Sequence, residues 1–507
     1  MNDIHGWSAI ELSRKIREKE VSIVEVVDAM LARIADCEDA KAFVCVVEDQ
    51  AREAAQAAQR ILEEDVNVPP LLGVPYSAKD VTNCKGVPTR YGSSVLPPFV
   101  PQEDNLAVAR ARAAGGILLG KTATPELAHK AFTVSPVSGL TLNPFSPDAT
   151  SGGSSGGAAV SVALGMNPIA LGTDGGGSIR IPAACCGVAG LKPTIGSLPD
   201  HQAQDLFGVT AHTGPLARNV ADLRLFYEII EGGHPADPYS QGLRPASRQC
   251  RSLEGLRVAW LPKCGNKELD ADVERLCAAA LREMESLGAR VEEVKLDFAR
   301  LEPHFFVLME SRVVRSLRGV DPQRMKEIDP SLLAHFERGL THKGEHYLDA
   351  LAERSVAFRD VQSVLDRYDV IVSPTMSAPA LPHTQDPHGP VVINGRPTGT
   401  VRAEWYPYTL GFNMTGHPAV SIPCGYATSG LPVGLQLAGR WFDEAYLLDA
   451  AEIVESALSV PTLADLGFEP RSDVQHLIGL ARNKRLQARV GQAEELLKRD
   501  YERTGRK

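Results

Sequence analysis

The chain is organised around two glycine-rich segments, Ser151-Gly-Gly-Ser-Ser-Gly-Gly157 and Gly172-Thr-Asp-Gly-Gly-Gly-Ser-Ile-Arg-Ile-Pro182. An apolar run from Ala158 to Gly165 separates them and predicts one short helix. Glycine allows unusual backbone dihedrals and close approach to a ligand, and successive amides can turn towards an anion. The pattern therefore indicates an anion-binding loop that ends in a hydroxyl, Ser178.

Two other interpretations of these segments are weaker. A flexible Gly/Ser linker would not contain a long apolar run, nor charged residues on both sides of the serine, as Asp174 and Arg180 are here. A phosphate-binding loop would require G-x-x-x-x-G-K-[ST], or G-x-G-x-x-G after a strand, and neither occurs here.

A nucleophilic serine needs a base, and the two segments contain no histidine that could serve as one. Lysine replaces histidine in Ser-Lys hydrolases. The best candidate is Lys79, which ends a short β-like run that begins at Leu72. A buried lysine can lose its proton near neutral pH and then accept one from a serine.

At this point the chain resembles the amidase signature family of serine hydrolases. The matching segments occur in the family's order and cover about residues 5 to 460. They are the two glycine-rich segments, Gly73-Val-Pro75, Lys79-Asp80, Gly190-Leu-Lys-Pro-Thr194 and Gly430-Leu-Pro-Val-Gly-Leu-Gln436. The number of motifs in order makes this resemblance more specific than any single pattern.

The resemblance implies a Ser–cisSer–Lys triad. Ser178 corresponds to the nucleophile, Ser154 to the bridging serine that follows a cis peptide bond, and Lys79 to the base. Lys121, which ends the next predicted strand, is a rival base, but the family's base corresponds to Lys79.

Other residues of the loop are expected to support the triad. The amides of Gly175, Gly176, Gly177 and Ser178 can face a developing oxyanion. Ser155 is the other serine of the pair. We expect Asp174 and Arg180 to form a charge pair that braces the loop. Gly175 stands where the family usually has a side chain, which predicts a roomier acyl pocket.

Composition excludes several classes of function. The 507 residues carry a formal net charge of −10, which disfavours a nucleic-acid partner. No apolar run approaches the ~18 residues of a membrane span. The nine cysteines are scattered and no secretory segment is apparent, so the cytoplasm is the expected compartment.

Alternating strand and helix patterns predict an α/β fold, with a central mixed sheet flanked by helices on both faces. We expect a helical region over residues 1–65 that packs on the core, in preference to a dimerisation arm. The α/β core would span residues 66–465, with a variable pocket portion at 235–405. A charged helical extension would occupy residues 466–507.

Substrate-binding residues are not assigned by the sequence, but two groups are candidates. One is the stripe His304, Phe305, Phe306 and Met309, which is more typical of a core. The other is an aromatic wall of Trp405, Tyr406 and Tyr408, after a Pro/Gly-rich segment at 376–402 that is typical of a long loop or lid.

No histidine is expected to act in the reaction. His342 and His346 have i, i+4 spacing but lack the glutamate of H-E-x-x-H, so a surface or cap position is favoured over a metal pair. His417 is expected to be structural. The prediction includes no metal and no cofactor.

The sequence therefore predicts an amidase that cleaves a small-molecule carboxamide through a serine acyl-enzyme, with some preference for a hydrophobic or aryl amide. Two alternatives remain open: one component of a glutamine-dependent amidotransferase, which needs partner subunits, and a non-catalytic scaffold on a hydrolase fold. The assembly state is left open, with a homodimer among the options.

Overall fold

The computed structural model describes residues 4–64, 68–203, 205–208, 210–242 and 248–466. Local sequence signals set the first helices. Ser8 and Ser22 cap the first two, and the Ser22 hydroxyl and Glu25 carboxylate form a reciprocal capping box. The predicted extension at 466–507 lies outside the described residues except for Leu466.

The described residues form fifteen strands. In chain order they are β1 (Phe43–Val46), β2 (Pro75–Lys79), β3 (Ile117–Thr122), β4 (Val134–Ser135), β5 (Gly139–Leu140), β6 (Ile169–Asp174), β7 (Ala189–Lys192), β8 (His212–Ala217), β9 (Arg257–Trp260), β10 (Arg290–Glu293), β11 (Val370–Pro374), β12 (Pro390–Ile393), β13 (Arg396–Thr400), β14 (Ala419–Tyr426) and β15 (Pro432–Ala438).

Eleven of these strands form one mixed sheet in the order β1-β3-β2-β6-β8-β7-β14-β15-β11-β9-β10. β2 pairs in parallel with both β3 and β6, and β9 pairs in parallel with both β10 and β11. The remaining pairs of the sheet are antiparallel. The predicted mixed sheet is confirmed.

The α-helices in the described ranges are α1 (Ala9–Arg17), α2 (Ile23–Asp36), α3 (Glu48–Glu64), α4 (Leu106–Ala113), α5 (Gly156–Ala163), α6 (Arg180–Cys186), α7 (Val220–Ile230), α8 (Ala271–Ser286), α9 (Glu302–Ser316), α10 (Pro330–Gly339), α11 (Gly344–Leu365), α12 (Val401–Trp405), α13 (Pro407–Thr415) and α14 (Glu444–Leu458). No helix in this part of the chain is long and apolar enough to cross a membrane.

Apolar layers cover both faces of the sheet. Successive residues of β6 point to opposite faces: Ala170 joins a cluster with α2, α3, α5 and α6, whereas Ile169 and Leu171 join one with α4, α7, α8 and α14. Helices α5 and α6, which flank the second glycine-rich segment, are buried throughout. The segment is thus held inside the protein.

Two parts of the chain differ from the prediction. The N-terminal region is not purely helical, because β1 pairs with the edge of β3 between α2 and α3. The segment 376–402 is not a structureless loop, because β12 and β13 form a hairpin whose Val391 and Ile393 are buried. Its proline and glycine residues made the segment resemble a loop. In the structure they lie largely at turns and edge positions, where a hairpin tolerates these residue types.

Candidate active site

Strand pairing brings the predicted base to the glycine-rich segment. β2 and β6 are parallel neighbours, and Ala78 lies opposite Leu171 in their register. The carboxyl ends of parallel strands meet at one edge of a sheet, so Lys79 and Thr173 become neighbours there. Lys79 Nζ donates to Thr173 Oγ1 at 2.9 Å and to the Thr173 carbonyl at 3.3 Å.

Lys79 also contacts the bridging serine of the prediction. Its Nζ lies 2.6 Å from Ser154 Oγ, and both side chains are buried. The Gly153–Ser154 peptide bond is cis, as the resemblance implied. An amine and a hydroxyl at this distance can exchange a proton directly.

Burial changes the acid–base behaviour of Lys79. Removal from water disfavours the charged ammonium and lowers the pKa of Lys79 to about 7, although the nearby Asp174 carboxylate acts in the opposite direction. A large fraction of Lys79 is therefore neutral near pH 7, and a neutral amine can accept a proton.

Ser155 joins the two glycine-rich segments. Its hydroxyl donates to the Thr173 carbonyl at 3.1 Å and accepts from the Thr173 amide at 3.2 Å. Its own amide donates to the Ser178 carbonyl at 3.1 Å. These bonds fix the segment of Ser154 against that of Ser178.

Asp174 and Arg180 form the charge pair that the sequence predicts, in full burial. Arg180 Nε and Nη2 donate to the two carboxylate oxygens at 2.9 and 3.0 Å. Burial by itself raises the pKa of Asp174, but the Arg180 guanidinium outweighs that effect and holds the pKa below its usual range. The carboxylate stays ionised at working pH.

Two side-chain amide groups from distant parts of the chain complete this network. Asn413 on α13 donates to the Asp174 carbonyl at 2.8 Å, and its Oδ1 accepts from Arg180 at 2.6 Å. Gln436 on β15 accepts from Arg180 at 2.8 Å. Sequence reasoning gave neither residue a role, although Gln436 ends one of the motifs that carry the resemblance.

The loop of four candidate oxyanion donors needs a correction. The Gly177 amide donates to Asp174 Oδ1 at 2.6 Å, so it is already engaged. Within the described residues, no acceptor engages the amides of Gly175, Gly176 or Ser178. The expectation of four donors is thus reduced to three, because the bracing carboxylate uses one of them.

Gly177 occupies a position that only glycine suits. Its φ is +125°, and a methyl group there would lie 2.4 Å from Thr409 Oγ1. We expect Gly177→Ala to lower the free energy of unfolding by at least about 2 kcal/mol, through backbone strain and overpacking. Urea unfolding monitored by circular dichroism measures this difference.

Gly175→Ala is the matched control, two residues away in the same loop. A methyl group there would approach Ala211 Cβ at 3.6 Å, an ordinary contact. Its free energy of unfolding is expected to stay unchanged or to rise by about 0.4–1 kcal/mol. Equal losses in both variants would contradict the assigned difference between the two positions.

A cavity of about 450 Å³ opens beside Ser154 and Ser178. Among the described residues, no hydrogen bond engages the Ser178 hydroxyl, which leaves it available to a ligand. A second cavity of about 410 Å³ lies between α2 and β1. The described residues that line it do not include Lys79, Ser154 or Ser178. The candidate site is therefore the first cavity.

The candidate pocket residues are only partly brought to this cavity. Phe305, Met309 and Tyr406 line it. Trp405 instead packs on Phe132, and Tyr408 is buried and donates to the Pro262 carbonyl at 2.8 Å. The expected aromatic wall is thus corrected to Tyr406, since neighbouring residues at the junction of two helices point in different directions.

The predicted stripe on α9 divides in the same way. Phe306 lies outside the cavity lining and stacks on His335, with 5.4 Å between the ring centroids. His304 is also outside the described lining. Only every third or fourth residue of a helix shares a face, which separates these side chains from Phe305 and Met309.

The three histidines considered as metal-binding or structural residues lie apart from the cavity lining. His342 Nε2 is 2.7 Å from Glu310 Oε2, and His346 accepts from the Lys343 amide at 3.3 Å. His417 stacks on Phe358, and burial lowers the pKa of His417 to about 3. No cluster of potential metal ligands occurs in the described ranges.

The rival lysine, Lys121, is also buried but has other partners. Its Nζ donates to Thr89 Oγ1 at 2.8 Å and lies 3.8 Å from Asp80 Oδ1. It contacts neither Ser154 nor Ser178. Its position on β3, one strand beyond β2, explains the difference.

Comparisons with known proteins agree with this fold. The Amidase family model matches residues 25–448. An acylamidase from Rhodococcus erythropolis is 33% identical over 465 residues, which cover 90% of this chain and 96% of that protein. A glutamyl-tRNA(Gln) amidotransferase subunit from Geobacillus kaustophilus (strain HTA426) is 33% identical over 480 residues, 89% of this chain and 97% of its own.

A solved structure of similar architecture is that of a bacterial aryl acylamidase of the amidase signature family. It superimposes with a TM-score of 0.83 at 27% sequence identity. The match covers 90% of this chain and 96% of the aryl acylamidase chain. The fold and the sequence together define a hydrolase that acts on amide C–N bonds. The chain belongs to the amidase signature family.

Proposed function

We propose that the chain hydrolyses a small-molecule carboxamide through an acyl-enzyme on Ser178. The observation that carries this proposal is the 2.6 Å contact between Lys79 Nζ and Ser154 Oγ beside a cavity that Ser178 lines. A buried amine of lowered pKa, a hydroxyl in contact with it and an unengaged serine supply a base, a relay and a nucleophile.

The first half of the reaction forms the acyl-enzyme. Ser178 Oγ attacks the amide carbon, its proton passes to Ser154, and the Ser154 proton passes to neutral Lys79. The free amides of Gly175, Gly176 and Ser178 stabilise the oxyanion. The C–N bond then breaks as the relay returns the proton to the leaving nitrogen, and the amine or ammonia departs.

The second half releases the acid. Water attacks the ester carbon, and its proton follows the same path to Lys79. The ester C–O bond breaks, Ser178 recovers its proton through Ser154, and the carboxylic acid leaves and loses its remaining proton to solvent. Asp174 and Arg180 take no proton in this scheme; they hold the loop of the oxyanion donors in shape.

The walls of the cavity support a hydrophobic or aryl amide as the substrate class. Phe305, Met309 and Tyr406 supply apolar and aromatic surface beside the serine. The structural similarity to an aryl acylamidase supports the same substrate class. Hydrolysis of 4-nitroacetanilide by the purified chain, followed by absorbance of released 4-nitroaniline, tests this proposal.

The amidotransferase alternative has one observation in its favour, the 33% identity with a glutamyl-tRNA(Gln) amidotransferase subunit. Release of ammonia from L-glutamine by the same preparation separates the two functions. Anilide hydrolysis without glutaminase activity supports the amidase. Glutaminase activity without anilide hydrolysis would favour the amidotransferase instead. Activity on neither substrate would contradict the aryl amidase.

A further inference from the structure

Arg402 is a buried cation at the cavity for which the described residues supply no hydrogen-bond acceptor and no ion-pair partner. It lies on α12 and is 5% exposed. Its Nε is buried with no hydrogen-bond acceptor, and no described carboxylate lies within ion-pair distance of it. Burying the Nε–H group of an arginine without an acceptor is costly, so the missing acceptor needs an explanation.

Three aromatic rings lie close to this guanidinium. Its central carbon lies 4.6 Å from the ring centroid of Phe305, 5.1 Å from that of Phe306 and 5.2 Å from that of Tyr406. Such contacts favour the cation through the π-electron face. The N–H groups lie in the guanidinium plane and still require oxygen acceptors.

The guanidinium also lies over the loop that leads to the nucleophile. A methyl group placed on Gly176 would lie 3.3 Å from Arg402 Nη1, and Gly176 is two residues from Ser178. Both Arg402 and Ser178 line the same cavity. A ligand group that meets Arg402 is therefore only a few bonds from a carbonyl that meets Ser178.

The other charged residues of the cavity wall already have partners. Lys130 forms an ion pair with Asp329 at 2.5 Å, and Arg312 donates to Thr210 Oγ1 at 2.6 Å and to the Gly208 carbonyl at 3.2 Å. Asp200 is the one carboxylate in the described lining, and it forms no ion pair with Arg402. Among the lysine and arginine side chains of the described cavity lining, Arg402 is thus the one whose charge has no hydrogen-bond or ion-pair partner.

We propose that Arg402 is a specificity-determining residue that binds a carboxylate of the substrate. The substrate class is an amide that carries a carboxylate a few bonds from the scissile carbonyl, with apolar or aromatic surface between the two. This inference rests on the proposed function of the same site. Arginine suits the task because its planar fork matches the two oxygens of a carboxylate.

The test measures binding without turnover. Isothermal titration calorimetry on Ser178→Ala compares two pairs of compounds, each a carboxylate and its neutral isostere. One pair has the charge on the acyl side, glutaryl 4-nitroanilide against 5-oxohexanoyl 4-nitroanilide. The other has it on the amine side, 4-acetamidobenzoate against 4-acetamidoacetophenone. The same titrations are repeated on Ser178→Ala/Arg402→Met.

In at least one pair, we expect the carboxylate to bind about tenfold or more tightly than its neutral isostere, as a charged hydrogen-bond pair predicts. Arg402→Met is expected to reduce that ratio to about 1. Arg396→Met removes the same charge from an exposed arginine paired with Glu268, and the ratio should persist there.

Three results would overturn the inference: no preference for a carboxylate in either pair, a preference that survives Arg402→Met, or an equal loss of preference in Arg396→Met. Steady-state kinetics on the protein with Ser178 intact keep the two proposals distinguishable. Failure to hydrolyse any anilide contradicts the proposed amidase, whereas hydrolysis with equal kcat/KM for both members of each pair contradicts only the role of Arg402.

Discussion

Ser178→Ala is expected to reduce kcat/KM for an anilide by about 10⁴-fold or more, because removal of a nucleophile leaves only binding and oxyanion stabilisation. The Ser178 hydroxyl makes no hydrogen bond within the described part of the chain, so its removal should leave the thermal midpoint nearly unchanged. Initial rates with 4-nitroacetanilide and a thermal melt measure the two effects.

A fluorophosphonate probe tests the same assignment independently of substrate choice. The intact mass of the wild type should increase by one adduct, and that of Ser178→Ala should not. Ser316→Ala is the matched control, because Ser316 lines the same cavity without contacting Lys79 or Ser154. A labelled Ser178→Ala, or loss of labelling in Ser316→Ala, would place the nucleophile elsewhere.

The second large effect is the pH dependence that Lys79 imposes. Burial lowers the pKa of Lys79 to about 7, so the amine is protonated below that pH and neutral above it. Only the neutral amine accepts a proton, and kcat/KM should therefore fall tenfold per pH unit below about 7 and level off above it. Lys79→Met should lower the plateau by about 10³-fold or more and abolish this inflection.

Lys121→Met provides the control for loss of a buried lysine. Lys121 is as buried as Lys79, and burial also lowers the pKa of Lys121, but its partners are Thr89 and Asp80. The inflection near pH 7 should remain in this variant even if its stability changes. An inflection that persists in Lys79→Met, or disappears in Lys121→Met, would assign the base to a different residue.

Local sequence predicted much of the fold because its signals are short-range. Ser8 and Ser22 mark helix starts through hydroxyl caps, and alternating strand and helix patterns indicate the α/β fold. The hairpin of β12 and β13 was missed, because its turn-rich composition resembles that of a loop. β1 was missed because four residues between two helices carry little periodicity.

The sequence by itself determined the family and the identities of Lys79, Ser154 and Ser178 as candidates, because these lie in motifs whose residue types and order are specific. Their proximity also follows in part from sequence, since parallel strands place their carboxyl ends at one edge. The 2.6 Å contact of Lys79 with Ser154 and the lowered pKa of Lys79 required burial, which depends on the packed helices around β2 and β6.

Only the tertiary structure decided which residues complete the site. Asn413 and Gln436 reach Arg180 across more than 200 positions of sequence, and Arg402 reaches the loop of Gly176 from α12. The engagement of the Gly177 amide by Asp174 likewise depends on the fold of the loop. Local patterns specify helices, strands and turns, whereas contacts between distant segments and the exclusion of water arise only when the whole sheet and its helices pack together.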